Sequence, residues 1–297
     1  MTIKTDEISL PILLSRNIKI YIKRLDLMHP YVSGNKWFKL KHNFSEAVVN
    51  GYNKILTFGG AYSNHIFSTA YLAKELGLQS IGVIRGEEII PKNYTLNFAE
   101  NCNMKLHYLN RDDFRDRETE RVINFLKDKF GDFYLMPLGG NNLNSLKGGE
   151  EIIEQDDRYD FICSSIGTGS TFSSITNASQ QNQNILGFPA IRMNNNSKTY
   201  QFIKNATNKN NWKLIFHYDF GGFAKYDKNL INFIHKFYEE TKIPLDIIYT
   251  AKMVYGVIDM VKKNMFTRNS KILLIHTGGL QGNIGFNERF SMKLPIS

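Results

Sequence analysis

Short apolar segments, rich in β-branched or aromatic residues, alternate with helical patterns over most of the chain. In the first half, four segments predict strands: KILTF (54–58), SIGVI (80–84), MKLHY (104–108) and DFYLM (132–136). Apolar residues at helical spacing from Ile66 to Leu76 predict a helix between the first two strands, and a charged stretch around 112–129 predicts another before the fourth. This alternation predicts parallel βα units.

The second half repeats the alternation. Its predicted strands are FICSSI (161–166), NILGF (184–188), KLIFH (213–217) and KILLI (271–275). A helix is predicted before the last of these strands, where apolar residues from Leu230 to Phe237 recur at offsets of three, four and seven. We therefore expect a second series of parallel βα units.

The stretch PLGGNNLNSLKGGEE (137–151) lies between the two series and is rich in Gly and Asn. Such a composition suits a crossing between two lobes. We predict an α/β fold with two parallel-sheet lobes and a cleft between them. The larger lobe would comprise residues 1–42 and 140–297, and the smaller one residues 43–139.

Composition supports a globular protein, because 42% of the 297 residues are hydrophobic and 13% are aromatic. The first dozen residues lack the apolar core of a secretory signal, and no stretch approaches the roughly 20 apolar residues of a membrane span. Cys102 and Cys163 lie far apart with no CxxC spacing, so neither a disulfide framework nor a zinc cluster is indicated. We expect a soluble protein of the reducing cytoplasm, without a metal site or a membrane partner.

The net charge of +9, from 37 basic and 28 acidic residues, could suit a polyanionic partner. The basic residues are dispersed, however, and even the stretch 197–213 lacks the dense clusters of a nucleic-acid-binding arm. No nucleic-acid partner is therefore expected.

Three loops share one design, in which a predicted strand ends in Gly and small hydroxyl residues where a helix should begin. They are FGGAYSNH (58–65), SIGTGST (165–171) and IHTGGLQG (275–282). In parallel α/β proteins such loops lie at the ligand-binding edge of the sheet. The second loop combines two glycines with three hydroxyl residues before a helix, which suits an anion site, although a plain tight turn explains the same pattern.

Two further residue groups have both an ordinary and a functional interpretation. Ser63, Asn64 and His65 stand at a predicted helix start, where Ser and Asn are common caps. Lys36, in VSGNKWFKLKHN (32–43), taken alone is best explained as a surface lysine. Together with an anion loop and hydroxyl loops, its amine matches the needs of pyridoxal 5′-phosphate chemistry, in which a lysine forms a Schiff base.

The chain also resembles a known family. The ordered segments YIKRLDLMHPYVSGNKWFKLK, TFGGAYSNH, PLGGNN, IGTGST, YTAK and HTGG are similar to those of the D-cysteine desulfhydrase and 1-aminocyclopropane-1-carboxylate (ACC) deaminase family. Its members are pyridoxal-phosphate enzymes of fold type II, related to the tryptophan synthase β subunit. The similarity spans about residues 8–285, and it implies a homodimer that acts on a small amino-acid substrate.

The resemblance implies a role for each matching residue at the cofactor. Lys36 matches the lysine that forms the Schiff base, Asn64 the residue that hydrogen-bonds the phenolic oxygen, and Thr277 the residue that faces the pyridine nitrogen. The phosphate loop corresponds to Gly167, Thr168, Gly169, Ser170 and Thr171. Ser170 replaces the usual glycine of this loop, which adds a hydroxyl group and restricts the backbone.

The resemblance also implies a substrate side. Ser63, with the backbone of Asn64 and His65, matches the turn that holds the substrate carboxylate, and in the deaminases this serine is also a proposed nucleophile or base. Tyr249 matches a tyrosine beside cofactor and substrate. Phe223 stands where family members usually have a second tyrosine, so a phenol that moves protons there would be missing, whereas a ring that only stacks would not.

Two positions separate the activities within the family. ACC deaminases carry Glu and Leu where this chain has Thr250 and Thr277, and both threonines favour a D-cysteine desulfhydrase-like α,β-elimination to pyruvate, sulfide and ammonia. Lys36 and Tyr249 are both candidates for the base that removes the α-proton. The alternatives are ACC deaminase, another pyridoxal-phosphate lyase or racemase, a cofactor-binding protein without turnover, and a phosphate-binding α/β protein.

Overall fold

The computed structural model describes residues 3–207 and 209–296, which form two β-sheets with helices on both faces of each. The strands are β1 Thr5–Ile8, β2 Lys19–Arg24, β3 Lys54–Gly59, β4 Gln79–Arg85, β5 Met104–Leu109, β6 Tyr134–Met136, β7 Phe161–Ile166, β8 Asn184–Pro189, β9 Trp212–Leu214 and β10 Lys271–His276. The α-helices are α1 Pro11–Arg16, α2 Asn35–Val49, α3 Asn64–Glu75, α4 Tyr94–Asn101, α5 Arg111–Arg115, α6 Glu120–Phe130, α7 Leu143–Glu150, α8 Ser170–Ala178, α9 Lys198–Ala206, α10 Lys228–Thr241, α11 Thr250–Lys262 and α12 Gln281–Phe290.

The larger sheet has the strand order β1-β2-β10-β7-β8-β9. All its pairings are parallel except that of β1 with β2, which is antiparallel. The smaller sheet, β5-β4-β3-β6, is wholly parallel. The predicted α/β class with two parallel-sheet units is therefore confirmed, whereas the domain limits at residues 42 and 139 stay a prediction.

Each sheet is buried on both faces, because successive side chains of a strand point to opposite sides. In β10, Ile272 and Leu274 pack in the core that includes α10 and α11, whereas Leu273 and Ile275 pack in the core that includes α8 and α9. This explains why KILLI is a continuous apolar run rather than an alternating one.

The predicted strands 54–58, 80–84, 104–108, 161–166, 184–188 and 271–275 are confirmed, with bounds that differ by at most one residue at either end. The strand predicted at 213–217 is wrong beyond Leu214. Ile215 donates its N–H to the Gly187 carbonyl at 2.8 Å, and Phe216–Tyr218 then forms a 3₁₀ turn. This turn carries the Tyr218 hydroxyl to Asp259 of α11 at 2.7 Å, a tertiary contact that overrides the local β-propensity.

Two other predictions need correction, and the stretch predicted to cross between the lobes does connect the two sheets but is partly helical. The strand at 132–136 begins only at Tyr134, since β6 is an edge strand that pairs with three residues of β3. The charged stretch around 112–129 forms two helices, α5 and α6, because Thr119 stands at the N-cap position of a new helix. The crossing stretch 137–151 contains a helix, α7, whose start is capped by the Asn142 side chain.

The two sheets face each other through the loops at their carboxyl ends. Asn64, after β3, accepts a hydrogen bond from Gln281, after β10, at 2.5 Å. Gly139, after β6, lies against Thr168, after β7. In the described part of the chain, every helix is too short or too polar to cross a membrane.

Candidate active site

A cavity of about 580 Å³ lies where these carboxyl-end loops meet. It is lined by residues from the loops after β3, β7 and β10 and from the start of α2. The predicted site residues that line it are Lys36, Ser63, Asn64, His65, Gly167, Thr168, Gly169, Thr171, Phe223, Tyr249 and Thr277. Of the predicted residues only Ser170 does not line it, so residues 241 positions apart in sequence share one site.

Lys36 is the second residue of α2, and its amine faces the cavity. Its Nζ donates a hydrogen bond to the Asn35 side-chain oxygen at 2.8 Å. Desolvation lowers the pKa of Lys36 to about 8, although the Asp246 carboxylate opposes the shift. A larger fraction of this amine than of an ordinary lysine is then neutral near neutral pH, which favours a nucleophilic role.

The loop before α8 forms an anion-binding end of the cavity. Thr171 accepts a hydrogen bond from Asn35 at 2.8 Å, so the side chain of Asn35 links the loop to Lys36. Lys39, one turn after Lys36, points its Nζ to the Gly139 carbonyl at 3.2 Å and to Thr168 Oγ1 at 3.4 Å. Burial and the neighbouring Lys36 hold the pKa of Lys39 well below its usual value. Within residues 3–207 and 209–296, no carboxylate forms an ion pair with this amine.

The fit of this end to a phosphate group rests on unfilled hydrogen-bonding capacity. The Ser170 hydroxyl is buried in this loop without a hydrogen-bond partner in the described structure, although Ser170 does not line the cavity. The first amides of α8 lack intrahelical acceptors, and the helix dipole adds positive potential. No Asp or Glu among the described residues lines the cavity, whereas Lys36, Lys39, Arg85 and Arg289 do.

The start of α3 supplies a second polar end. Ser63 is the N-cap and accepts a hydrogen bond from the Ile66 amide at 3.3 Å, so the ordinary capping role is real. The amides of Asn64 and His65 lie in the first turn, where no intrahelical acceptor exists. Such amides beside a serine hydroxyl suit a carboxylate.

The His65 side chain has a separate, inward position. Its Nε2 lies 2.9 Å from Thr57 Oγ1, and its Nδ1 is buried and has no hydrogen-bond partner among the residues that the structure describes. Burial, with Lys36 and Lys39 nearby, holds the pKa of His65 well below its usual value. The imidazole is therefore neutral and does not supply a charge to the site.

Tyr249 forms the wall opposite the polar ends. Its ring lies against Gly167, and its amide donates to the Asp246 carboxylate at 2.9 Å. Desolvation, and secondly the Asp246 charge, raise the pKa of Tyr249, which keeps the phenol protonated. Phe223 packs edge-to-face on this ring with centroids 6.3 Å apart.

The two threonines at the discriminating positions lie in different environments. Thr277 lines the cavity, where its Oγ1 is 3.4 Å from Ser165 Oγ. Thr250 does not line the cavity, and its hydroxyl bonds the Asp246 carboxylate and amide at 3.1 and 2.8 Å. Thr277 therefore faces the cavity, whereas Thr250 contacts Asp246 behind it.

Sequence reasoning missed Asn35, Lys39 and Asp246. The first two lie within three residues of Lys36 on the same helix, so their nearness to the predicted lysine could have indicated that they belong to the site. Asp246 had no such signal, because its contact with the site depends on the turn that precedes α11.

A family model described as "Pyridoxal-phosphate dependent enzyme" matches residues 4–278 of the chain. The chain belongs to the pyridoxal-phosphate dependent enzyme family. The resemblance, the cofactor and the enzymatic nature predicted from the sequence are thereby confirmed. The anion end and the buried Lys36 amine fit the phosphate and the aldehyde of this cofactor.

Relatives of this pyridoxal-phosphate enzyme have names from two activities. A Pyrococcus horikoshii protein named "Putative 1-aminocyclopropane-1-carboxylate deaminase" is 31% identical over 286 residues, covering 91% of this chain and 87% of the relative. The "Bifunctional D-cysteine desulfhydrase/1-aminocyclopropane-1-carboxylate deaminase, mitochondrial" of Arabidopsis thaliana is 26% identical, covering 91% and 74%. A crystal structure of an ACC deaminase homologue superposes with a TM-score of 0.83 at 26% identity, covering 98% of this chain and 94% of the other, which confirms the fold-type II class.

The cofactor-free pyridoxal-phosphate enzyme should take up its cofactor faster as the pH rises towards about 8, with a plateau above that value. The reason is that only the neutral Lys36 amine adds to an aldehyde. Stopped-flow visible absorbance measures the rate. In Asp246→Asn the plateau should begin at a lower pH, because the carboxylate that favours the charged amine is gone, and identical profiles for the two proteins would contradict this assignment.

Proposed function

We propose that this enzyme converts D-cysteine and water to pyruvate, hydrogen sulfide and ammonia. The Cα–H and Cβ–S bonds of the substrate break, the α-proton passes to a base, and the sulfur leaves as sulfide. The β-carbon then takes up a proton and becomes the methyl group of pyruvate, water replaces nitrogen at the α-carbon, and ammonia leaves. Pyridoxal phosphate, when bound, supplies the electron-withdrawing ring that stabilises negative charge at the α-carbon.

The observation that carries this proposal is the Thr277 hydroxyl in the cavity wall. ACC deaminases of the resembling family have leucine there, whereas this chain presents a hydroxyl that is only 8% exposed and faces Ser165. A buried hydroxyl with spare hydrogen-bonding capacity can bond the pyridine nitrogen of the cofactor, whereas a leucine side chain at this position cannot. Thr250 adds support, since Glu in its place would put a second carboxylate beside Asp246.

The site also favours one base over the other. The pKa of Lys36 is lowered to about 8, whereas that of Tyr249 is raised. A base that works near neutral pH needs a pKa near that pH, so the Lys36 amine is suited to accept the α-proton. Tyr249, which stays protonated, is suited to donate a proton to the leaving sulfur.

The substrate carboxylate is proposed to bind at the start of α3. The Ser63 hydroxyl and the Asn64 and His65 amides are the donors available there, and the helix dipole adds to their attraction. Asn64 is also held by Gln281 from α12, which fixes its amide group near the ring position. This arrangement orients the substrate so that its α-proton faces Lys36.

Product assays test the proposal. Purified protein loaded with pyridoxal phosphate should release pyruvate and sulfide in equal amounts from D-cysteine, and Lys36→Ala should release neither. ACC deaminase is the second candidate, favoured by the names of the relatives. Release of 2-oxobutyrate from ACC, without sulfide from D-cysteine, would replace the first proposal with the second.

We also propose that the enzyme is a cytoplasmic homodimer. The resemblance supports the dimer, and both cysteines, Cys102 and Cys163, are buried as free thiols, which is the usual state in a reducing compartment. The mass in solution, measured by light scattering, tests the dimer.

A further inference from the structure

The segment 219–224 carries Phe223 to the outer part of the cavity. Phe223 and Ala224 line the cavity, and the Phe223 side chain is 58% exposed. The turn is unusual in its backbone, since Phe220, Gly221, Gly222 and Ala224 all have positive φ angles, of 52°, 93°, 112° and 55°. Such conformations are costly for Phe and Ala, so other contacts must hold the turn.

Lys252 supplies those contacts. This lysine is 1% exposed, and its Nζ lies 2.8 Å from the Asp219 carbonyl, 2.7 Å from the Gly222 carbonyl and 3.4 Å from the Ala190 carbonyl. An ammonium group has three donors, and three backbone carbonyls accept from them here. Two of these carbonyls belong to the turn, and the third follows β8.

No carboxylate oxygen pairs with this amine among the described contacts. Desolvation lowers the pKa of Lys252 to about 8, which the Asp219 and Asp246 carboxylates only partly oppose. A buried lysine held by carbonyls alone costs free energy relative to an apolar side chain. If position 252 served only to fill the core, an apolar side chain would fill it without this cost in free energy.

Phe223 packs against Tyr249, which stands at the start of α11, the helix that also contains Lys252. Tyr249 precedes α11, and Lys252 follows it by three residues, so both project from one side of the helix. Lys252 holds the turn while Tyr249 receives the Phe223 ring, with centroids 6.3 Å apart.

We propose that Lys252 is a positioning residue that fastens the turn 219–224 over the cavity and thereby sets how tightly the amino-acid substrate is held. The ammonium fixes the turn, the turn fixes Phe223, and Phe223 with Tyr249 closes the outer wall of the site. Lys252 itself does not touch substrate or cofactor. The part of this inference that concerns substrate rests on the proposed function, whereas the part that concerns the turn does not.

Hydrogen exchange of the cofactor-loaded protein tests the turn directly. The amides of Gly221, Gly222 and Lys225 are bonded within the turn, at 3.0, 2.9 and 3.1 Å. In Lys252→Met we expect these amides to exchange at least about ten-fold faster. Lys262→Met, at the exposed end of the same helix, is the matched control and should leave them unchanged.

Kinetics test the link to substrate. Lys252→Met should raise the KM for D-cysteine about ten-fold while kcat changes little, because it loosens a binding wall without removing a reacting group. In the background of Phe223→Ala, the same change should raise KM far less, since the ring through which Lys252 acts is gone. Independent, multiplicative effects on KM would overturn the positioning role.

A second variant covers the case in which Lys252→Met does not fold. Gly221→Ala adds a Cβ at φ 93° with only the Lys225 side chain near it, at 3.6 Å, so it disturbs the turn from the surface. It should also speed exchange and raise KM. Unchanged exchange in folded Lys252→Met, or faster exchange in Gly221→Ala with unchanged KM, would refute the inference. If wild type does not turn over D-cysteine, the proposed function fails, and the exchange experiment alone decides the role of Lys252.

Discussion

Lys36→Ala should eliminate the visible absorbance of the lysine-bound cofactor and lower turnover about a thousand-fold or more. The side chain supplies both the amine that the cofactor aldehyde needs and the proposed base, and no other residue occupies the same place at the start of α2. The absorption spectrum of purified protein, recorded with and without D-cysteine, measures the first effect, and pyruvate release measures the second.

Lys41→Ala is the matched control for this change. Lys41 lies on the same helix, but it is exposed and forms an ion pair with Glu151 at 2.6 Å. Loss of such a surface pair costs at most about 1 kcal/mol, so the spectrum and the turnover should stay as in wild type. Retention of the lysine-bound spectrum in Lys36→Ala would show that another amine holds the cofactor.

Lys39 is the amine that such a result would implicate. It also lines the cavity, but its Nζ points to Gly139 and Thr168 at the anion end. Its proposed contact is therefore with the phosphate rather than with the aldehyde. The spectrum of Lys36→Ala thus separates two lysines that lie one helical turn apart.

The pattern of apolar residues was sufficient to predict most of the strands that lie inside the two sheets, but it missed β2, which lies between β1 and β10. Strands such as β7 and β10 are buried on both faces, so their sequences are almost purely apolar or small. The two predicted strands whose bounds were wrong, β6 and β9, lie at sheet edges, where one neighbour is missing and tertiary contacts such as Tyr218 with Asp259 decide where the strand ends. Local propensity carries no information about such contacts.

The candidate site was predictable only where a residue belongs to a loop with a recognisable pattern. The 167–171 loop was found in this way, whereas Lys36 was assigned through its combination with the loops and through the family resemblance, and the structure places both at one cavity. Lys252 was not found, because its contacts are with backbone carbonyls distant in sequence. Asp246 was not found, because its role depends on the turn that brings it to the Tyr249 amide at the start of α11. Every residue type has a backbone carbonyl, so a hydrogen bond to such a group cannot be recognised from the sequence.

Gly34 places Lys36 against the loop after β10. Its φ and ψ are 67° and −147°, a region that only glycine adopts without strain. A Cβ atom on Gly34 would lie 2.0 Å from the Thr277 carbonyl oxygen and 2.7 Å from the Gly278 nitrogen. The same carbonyl accepts the Asn35 amide at 3.2 Å, so the backbone on both sides is tied and cannot easily move apart.

Gly34→Ala should therefore displace the start of α2 from Thr277, with loss of bound cofactor and a fall in unfolding free energy of about 3 kcal/mol or more. Gly51→Ala, at a similar φ of 75° but with no atom within 4 Å of the added Cβ, isolates the backbone strain and should cost only about 1 kcal/mol. Thermal unfolding and the cofactor spectrum of both variants measure the difference. Both changes add a Cβ at a positive φ, but only that at Gly34 meets the backbone of Thr277 and Gly278. Equal losses in both variants would mean that this close approach does not position Lys36. Selective loss in Gly34→Ala would show that a residue without a side chain sets the geometry of the reactive amine.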